Sequence, residues 1–123
     1  MNKIYDDECS IITSYAFQSN SFITSVNFIN CSYIESGAFN WCGLLKTANF
    51  PNCSYIGSSV FAYCSLLNSI SFPNCSSILY SAFYYCSSLT TINFPNCTSI
   101  YSTAFYGCSK ITTANFPKCT HVG

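Results

Sequence analysis

Cysteine recurs along this chain at an interval of eleven residues, and this interval constrains the fold more than any other feature. The interval holds without an insertion through Cys31, Cys42, Cys53, Cys64, Cys75, Cys86, Cys97, Cys108 and Cys119. One interval earlier stands Asn20, and the interval before that restores a cysteine at Cys9. A fixed period indicates that a fixed number of residues completes one turn of a repeating structure.

The full repeat is 22 residues long, because alternate cysteines open different segments. After one cysteine the chain reaches an Ala-Phe pair, as at Ala38-Phe39, and after the next it reaches an I-x-F-P-N segment, as at 92–96. We therefore predict a single repeat domain over residues 1–123. It divides into a half-repeat cap over 1–8, five repeats over 9–118 and a partial repeat over 119–123.

Apolar residues 22 positions apart would form ladders through the core once the repeats stack. The ladders begin at Ile12, Phe17, Ile23, Val26 and Phe28.

Strands are predicted in the second half of each repeat, where Ile92 and Phe94 alternate with Thr91 and Asn93. That period of two marks a strand with one buried face, and the following proline ends it, since proline lacks an N–H for the ladder. We expect a mainly β solenoid with one parallel strand per 22-residue turn and short extended or 3-10 segments on the other side.

The motif resembles a leucine-rich repeat. The spacing of Leu89, Ile92 and Phe94 satisfies the L-x-x-L-x-L core, and residues 95–108 continue as P-N-C-x-x-I-x-x-x-A-F-x-x-C. This continuation resembles the BspA-like, Treponema-type subclass over nearly the whole chain, with departures at Asn20 and Ile29. The resemblance implies a leucine-rich-repeat solenoid that recognises a protein or matrix component, often at a microbial surface.

The resemblance implies a cell-surface or secreted location, but the N-terminus has no signal-peptide pattern, because Asp6, Asp7 and Glu8 interrupt it. Taken alone, the N-terminus predicts a cytoplasmic chain.

The ten cysteines leave two interpretations open. Short cysteine-rich chains are often held by disulfides. Stacking of successive repeats, each of which forms one turn or rung of the solenoid, would bring equivalent cysteines near bonding range. A regular ladder, however, points every Cβ the same way, which disfavours disulfide geometry. We expect free buried thiols. Spacing by eleven also lacks the clustered Cys or His pairs of a zinc site, so no metal and no cofactor are predicted.

Composition argues against several classes of function. Only 7% of residues are charged, the formal net charge is zero, and the four basic residues are all lysine. Nucleic-acid binding by phosphate neutralisation is therefore not expected, and the apolar runs are too short for membrane insertion. The one carboxylate outside the N-terminus, Glu35, has no neighbouring His or Asp, and no base is placed to activate a serine. We predict that the protein is not an enzyme.

Two surfaces could bind a partner. An aromatic set at shared repeat positions comprises Trp41, Tyr63, Tyr84, Tyr85 and Tyr106, and a polar set on the strands includes Thr47, Asn49, Thr91 and Asn93. Aromatic residues with a polar tip suit both protein interfaces and sugars. Alternatively, the rings only cover the core and the polar side chains only bond to each other. We predict a non-catalytic binding or adhesion module for a protein or glycan.

The alternative is a self-assembling structural subunit. The last rung would expose Ile111, Ala114, Phe116 and Cys119 at an uncapped C-terminal edge. Because solenoids generally need capping repeats for solubility, this edge could pair with a second copy, and a two-fold axis would close a homodimer.

Overall fold

The structure is a computed structural model that describes residues 3–5, as strand backbone only, and residues 8–123 in full. The cap predicted for residues 1–8 is thus described only in its strand and at Glu8, and Asp6 and Asp7 lie outside the described residues. The described chain contains strands and turns and no helix.

Each turn of the solenoid carries two strands, a longer one of three residues and a shorter one of two. In chain order they are β1 (Lys3–Tyr5), β2 (Ile11–Ile12), β3 (Ser25–Asn27), β4 (Tyr33–Ile34), β5 (Thr47–Asn49), β6 (Tyr55–Ile56), β7 (Ser69–Ser71), β8 (Ser77–Ile78), β9 (Thr91–Asn93), β10 (Ser99–Ile100), β11 (Thr113–Asn115) and β12 (His121–Val122).

Every strand pair is parallel and in register by one repeat, so that Val26 lies opposite Ala48 and Ile34 lies opposite Ile56. The short strands form one six-stranded sheet, β2-β4-β6-β8-β10-β12. The long strands form a four-stranded sheet, β1-β3-β5-β7, and a separate pair, β9-β11. The solenoid with a parallel strand per 22-residue turn is confirmed. The extended segments predicted for the other side prove to be paired strands themselves.

The core is a column of stacked phenylalanine rings flanked by aliphatic ladders. Rings of one ladder stack face to face, as in Phe39–Phe61 at 5.5 Å between centroids, and rings of the two ladders meet edge to face, as in Phe61–Phe72 at 6.0 Å. The inner rings, such as Phe61, are fully buried. Burial of each such ring stabilises the fold by about 1.5–3 kcal/mol.

Alternate amides in the segment after each short strand bond to different partners. Ala38 N, Asn40 N and Cys42 N donate within the same turn, three residues back, whereas Phe39 N and Trp41 N donate to the next rung, to Val60 O and Ala62 O. A continuous 3-10 segment would direct every one of these amides backwards, so the structure has successive turns instead.

All ten cysteines are free thiols, and each donates a hydrogen bond to a backbone carbonyl. Cys64 Sγ, for example, lies 3.1 Å from Phe39 O in the preceding rung. At Asn20, which stands at a cysteine position of the repeat, the side-chain oxygen instead accepts hydrogen bonds from Phe22 N at 2.9 Å and Ile23 N at 3.0 Å. The small thiol therefore both fills the space inside the turn and donates a hydrogen bond to a backbone carbonyl.

Candidate functional site

A set of stacked, exposed or half-buried rings lies on the turns that follow the short strands. We call this set the aromatic column; its members are Trp41, Tyr63, Tyr84, Tyr85 and Tyr106. Trp41 and Tyr63 stack with centroids 4.1 Å apart, and Tyr63 and Tyr85 stack at 5.7 Å. The structure thus brings together the aromatic residues that the sequence placed at shared repeat positions.

Tyr84 and Tyr106 form a second row of stacked rings beside the row of Trp41, Tyr63 and Tyr85. Tyr84 meets Tyr85 edge to face at 4.7 Å, and it stacks on Tyr106 at 5.4 Å. The neighbouring Tyr106 phenol is the main reason that the pKa of Tyr85 is raised, so the Tyr85 hydroxyl stays neutral at physiological pH.

The backbone under the column is left-handed. The φ angles are 61° at Trp41, 63° at Tyr63 and 55° at Tyr85. Each stands third in a turn closed by a local hydrogen bond, the position where a type II turn favours glycine. One repeat further on, glycine does occupy the position: Gly107 has a φ of 80°, and the Tyr85 ring lies directly over it.

The column presents ring edges rather than ring faces to solvent. Rings that stack from rung to rung cover each other's faces, and their outer edges and hydroxyls remain accessible. Trp41 is 55% exposed. No ring at the same repeat position stacks beyond either end of the Trp41–Tyr63–Tyr85 series, because Ser19 and Gly107 stand there. Tyr85 and Tyr106 are also exposed, whereas Tyr63 and Tyr84 are half-buried.

The sequence analysis missed a row of exposed apolar side chains at a second repeat position. Phe22 is 71% exposed, and Leu44 and Leu66 are also exposed. They lie 22 residues apart and three residues after the ring positions, so their spacing carried the signal. Together with the aromatic column they enlarge the exposed apolar surface of these repeats, and contiguous patches of this kind mark interaction sites.

The polar set on the long strands bonds largely to itself. Asn49 Nδ2 donates to Asn27 Oδ1 at 2.8 Å, and Asn115 Nδ2 donates to Asn93 Oδ1 at the same distance. The hydroxyls of Thr47 and Ser25 lie 2.6 Å apart. Asn49, Thr91 and Asn93 are exposed and Thr47 is half-buried. A partner would have to compete with these internal bonds, so the aromatic column is the better candidate.

The last rung is the least buried part of the core. Ile111, Phe116 and Cys119 are half-buried, Ala114 is exposed, and Val122 is 75% exposed. Phe116 nevertheless stacks on Phe94 with centroids 5.5 Å apart, and Cys119 Sγ donates to His121 O at 3.4 Å.

Within residues 8–123, no group of three or more His, Cys, Asp or Glu side chains is arranged to hold a metal ion. In the same part of the chain, no helix is long and apolar enough to cross a membrane.

Solved structures of bacterial proteins share this architecture. A leucine-rich repeat protein from Bacteroides ovatus superposes with a TM-score of 0.91 at 21% identity, covering 100% of this chain and 33% of that one. One from Eubacterium ventriosum gives a TM-score of 0.85 at 19% identity, covering 94% of this chain and 33% of that one. A leucine rich cell surface protein from Faecalibacterium prausnitzii gives 0.87 at 25% identity, covering 99% of this chain and 38% of that one.

The chain spans roughly a third of the length of these three structures. No curated protein matches it. The family model described as BspA type leucine rich repeat region matches residues 10–123 in six copies. With the repeat, the ladders and the solenoid all in agreement, the chain belongs to the BspA-type leucine-rich repeat family.

Proposed function

We propose that this chain is a non-catalytic binding module that recognises a protein through its aromatic column. The observation that carries the proposal is a stacked set of five rings on consecutive rungs, three exposed and two half-buried, in a chain with very few charges. Buried Trp and Tyr anchors dominate the binding energy of protein interfaces.

Three rings of the column occupy a repeat position whose backbone is left-handed. A non-glycine residue in the left-handed region costs roughly 1–2 kcal/mol, and three rings of the column occupy such positions. Ser19 and Gly107 hold the same position in the neighbouring rungs without a ring. The same conformation recurs outside the column at Tyr15, Ser59, Ser81 and Thr103, so it belongs to the repeat, and the column is distinguished by the large rings that fill the position.

The stacking geometry favours a protein over a glycan. A sugar stacks on an open ring face, whereas the stacked rings of this column cover each other's inner faces. Ring edges and hydroxyls suit the mixed apolar and polar surface of a protein, since edges are electropositive and phenols both donate and accept.

The likeness to a leucine rich cell surface protein from Faecalibacterium prausnitzii supports an adhesive role at a cell surface. The absence of catalysis is supported by Glu35, whose carboxylate accepts from Ser14 N at 3.0 Å and Ser14 Oγ at 3.3 Å rather than pairing with a histidine.

The test uses peptide ligands selected from a random display library on the wild-type chain, alongside a glycan array. The column variant carries Trp41→Ser, Tyr63→Ser and Tyr85→Ser, because serine already tolerates this backbone at Ser19. A matched control carries three serines at ring positions outside the column, namely Tyr15, Tyr80 and Tyr101.

We expect the selected peptides to bind the column variant at least ~100-fold more weakly, since each hot-spot ring is worth about 2 kcal/mol or more, and to bind the control normally. Equal binding to all three chains would refute the proposal. Glycan binding that depends on the column would replace the protein partner with a sugar.

Self-assembly through the last rung is the second candidate, and the exposed apolar Val122 favours it. Among the described strands, β11 pairs only with β9 and so leaves one edge open. Light scattering after size exclusion, in reductant and over a concentration series, should then show a dimer or larger species that Val122→Lys returns to monomer. A wild-type chain that is monomeric throughout would exclude this candidate.

A further inference from the structure

An open pocket of about 260 Å³ lies on the outer side of the short-strand sheet. Its lining is Ser14, Tyr33, Glu35, Ser36, Tyr55 and Gly57. None of these residues belongs to the aromatic column, so the pocket is a separate feature of the molecule.

The carboxylate of Glu35 is fixed in this pocket but not neutralised. Both hydrogen bonds that anchor it, from Ser14 N at 3.0 Å and Ser14 Oγ at 3.3 Å, go to the same oxygen, Oε1. Throughout residues 8–123, no lysine or histidine forms an ion pair with Glu35. The second oxygen therefore remains available to accept from a ligand, and the negative charge has no counter-ion within the described chain.

Two tyrosines form a wall of the pocket. Tyr33 and Tyr55 stack in parallel with centroids 4.2 Å apart and 2° between their planes. Burial, followed by the hydrogen bond with Tyr33, raises the pKa of Tyr55 to about 12. The Tyr55 phenol is therefore neutral, and phenol oxygens such as those of this wall can accept hydrogen bonds from a cationic ligand.

Gly57 lines the pocket next to Glu35. Its equivalents one repeat before and after are Glu35 and Leu79, which both carry large side chains. A Cβ at Gly57 would lie 2.8 Å from Ile34 O and 3.0 Å from Ser36 N, so the bare backbone also lets the adjacent rungs approach closely. The glycine is thus explained by the close approach of the two rungs, and it leaves this part of the pocket wall as bare backbone.

We propose that this pocket binds the guanidinium group of an arginine side chain carried by a partner polypeptide. Glu35 Oε2 accepts from the guanidinium, and the tyrosine and serine oxygens accept from the remaining N–H groups. The planar guanidinium offers five donors and is weakly hydrated, which suits a partly open site with many acceptors. A divalent metal is a poorer fit, because calcium takes six to eight oxygen ligands and usually several carboxylates.

The test is an NMR titration of the ¹⁵N-labelled full chain with Nα-acetylarginine amide. Its neutral isostere, Nα-acetylcitrulline amide, is the matched ligand control. Glu35→Gln removes the charge while keeping an oxygen for Ser14, and Glu8→Gln removes a carboxylate elsewhere on the chain.

We expect saturable shifts at the amides of Tyr33, Glu35, Ser36 and Gly57, with a dissociation constant on the order of 1 mM for so small a ligand. Binding should fall at least tenfold with the citrulline compound and with Glu35→Gln, and remain unchanged with Glu8→Gln. Equal binding of the two compounds to the wild-type chain, or no saturable shift, would overturn the proposal whatever the variants do.

The column variant separates this result from the proposed function. Because it leaves the pocket residues intact, arginine binding should survive in that variant. Loss of arginine binding there would place the site on the column and refute the pocket.

Discussion

The left-handed backbone at Tyr63 predicts a reversal of the usual order of alanine and glycine. In an ordinary position, glycine is less stable than alanine by roughly 0.5–1 kcal/mol, because it loses more conformational freedom on folding. At a left-handed position alanine carries a steric penalty of roughly 1–2 kcal/mol that glycine does not. With a φ of 63° at Tyr63, Tyr63→Gly should be more stable than Tyr63→Ala by about 0.5–1 kcal/mol.

Tyr84 provides the matched control, since it is a neighbouring half-buried tyrosine of the same column that does not have a positive φ. There, Tyr84→Ala should be more stable than Tyr84→Gly. Both members of each pair lose the same ring, so differences in stacking cancel within the pair. The free energy of unfolding would be measured by urea titration with circular dichroism. If Tyr63→Ala proves the more stable member of its pair, the left-handed backbone at Tyr63 does not penalise a residue that carries a Cβ.

Two further predictions concern the core. Phe61→Ala should cost about 3–5 kcal/mol of the free energy of unfolding, because the ring is fully buried among four neighbouring rings. Phe116→Ala should cost clearly less, because that ring is half-buried and packs on two rings, Phe94 and Phe105. Equal costs in urea titrations would contradict the burial gradient. Burial raises the pKa of Cys42 to about 11 and that of Cys75 to about 12, so the unfolded chain releases these protons first. The resulting stability is complete below about pH 8.5 and should fall at higher pH by roughly 1.4 kcal/mol per pH unit for each thiol. Removing both thiols by Cys42→Ala and Cys75→Ala should make that alkaline slope less steep, while the other thiols whose pKa burial raises keep their share of it. An unchanged slope would count against burial as its cause.

Much of the fold could be predicted because equivalent residues of each repeat have the same neighbours. One period places Ile34 opposite Ile56 and Phe39 on Phe61, so a single repeat unit determines the ladders, the register and the core. The short strands could not be predicted as paired strands, since two residues such as Tyr33–Ile34 are too few to show an alternation.

The candidate site was predictable in part. Shared repeat positions identified the rings of the aromatic column, but nothing in the identity of Trp41 or Tyr85 signals a left-handed backbone, a conformation that glycine usually supplies. The arginine pocket was not foreseen, because it depends on a diagonal contact between Ser14 and Glu35 in adjacent rungs and on one missing side chain at Gly57. Local exceptions to a repeat are invisible to an argument built on its average.

The break between β7 and β9 has a mechanical consequence. At that step the short strands β8 and β10 remain paired, while the long strands opposite them are not. The Phe72 and Phe94 centroids lie 6.0 Å apart, compared with 5.1 Å for Phe50 and Phe72 one step earlier. Because hydrogen bonds between strands join the two repeats on the short-strand side alone at this step, the solenoid should bend more easily there than at steps where both sides are paired. We expect the solenoid to flex there as a hinge, opening and closing on the long-strand side, and the curvature that it offers to a large partner would be adjustable at this one step. Amide hydrogen exchange that is no faster at Ser71 and Asn93 than at Asn27 and Asn49 would rule out such a hinge.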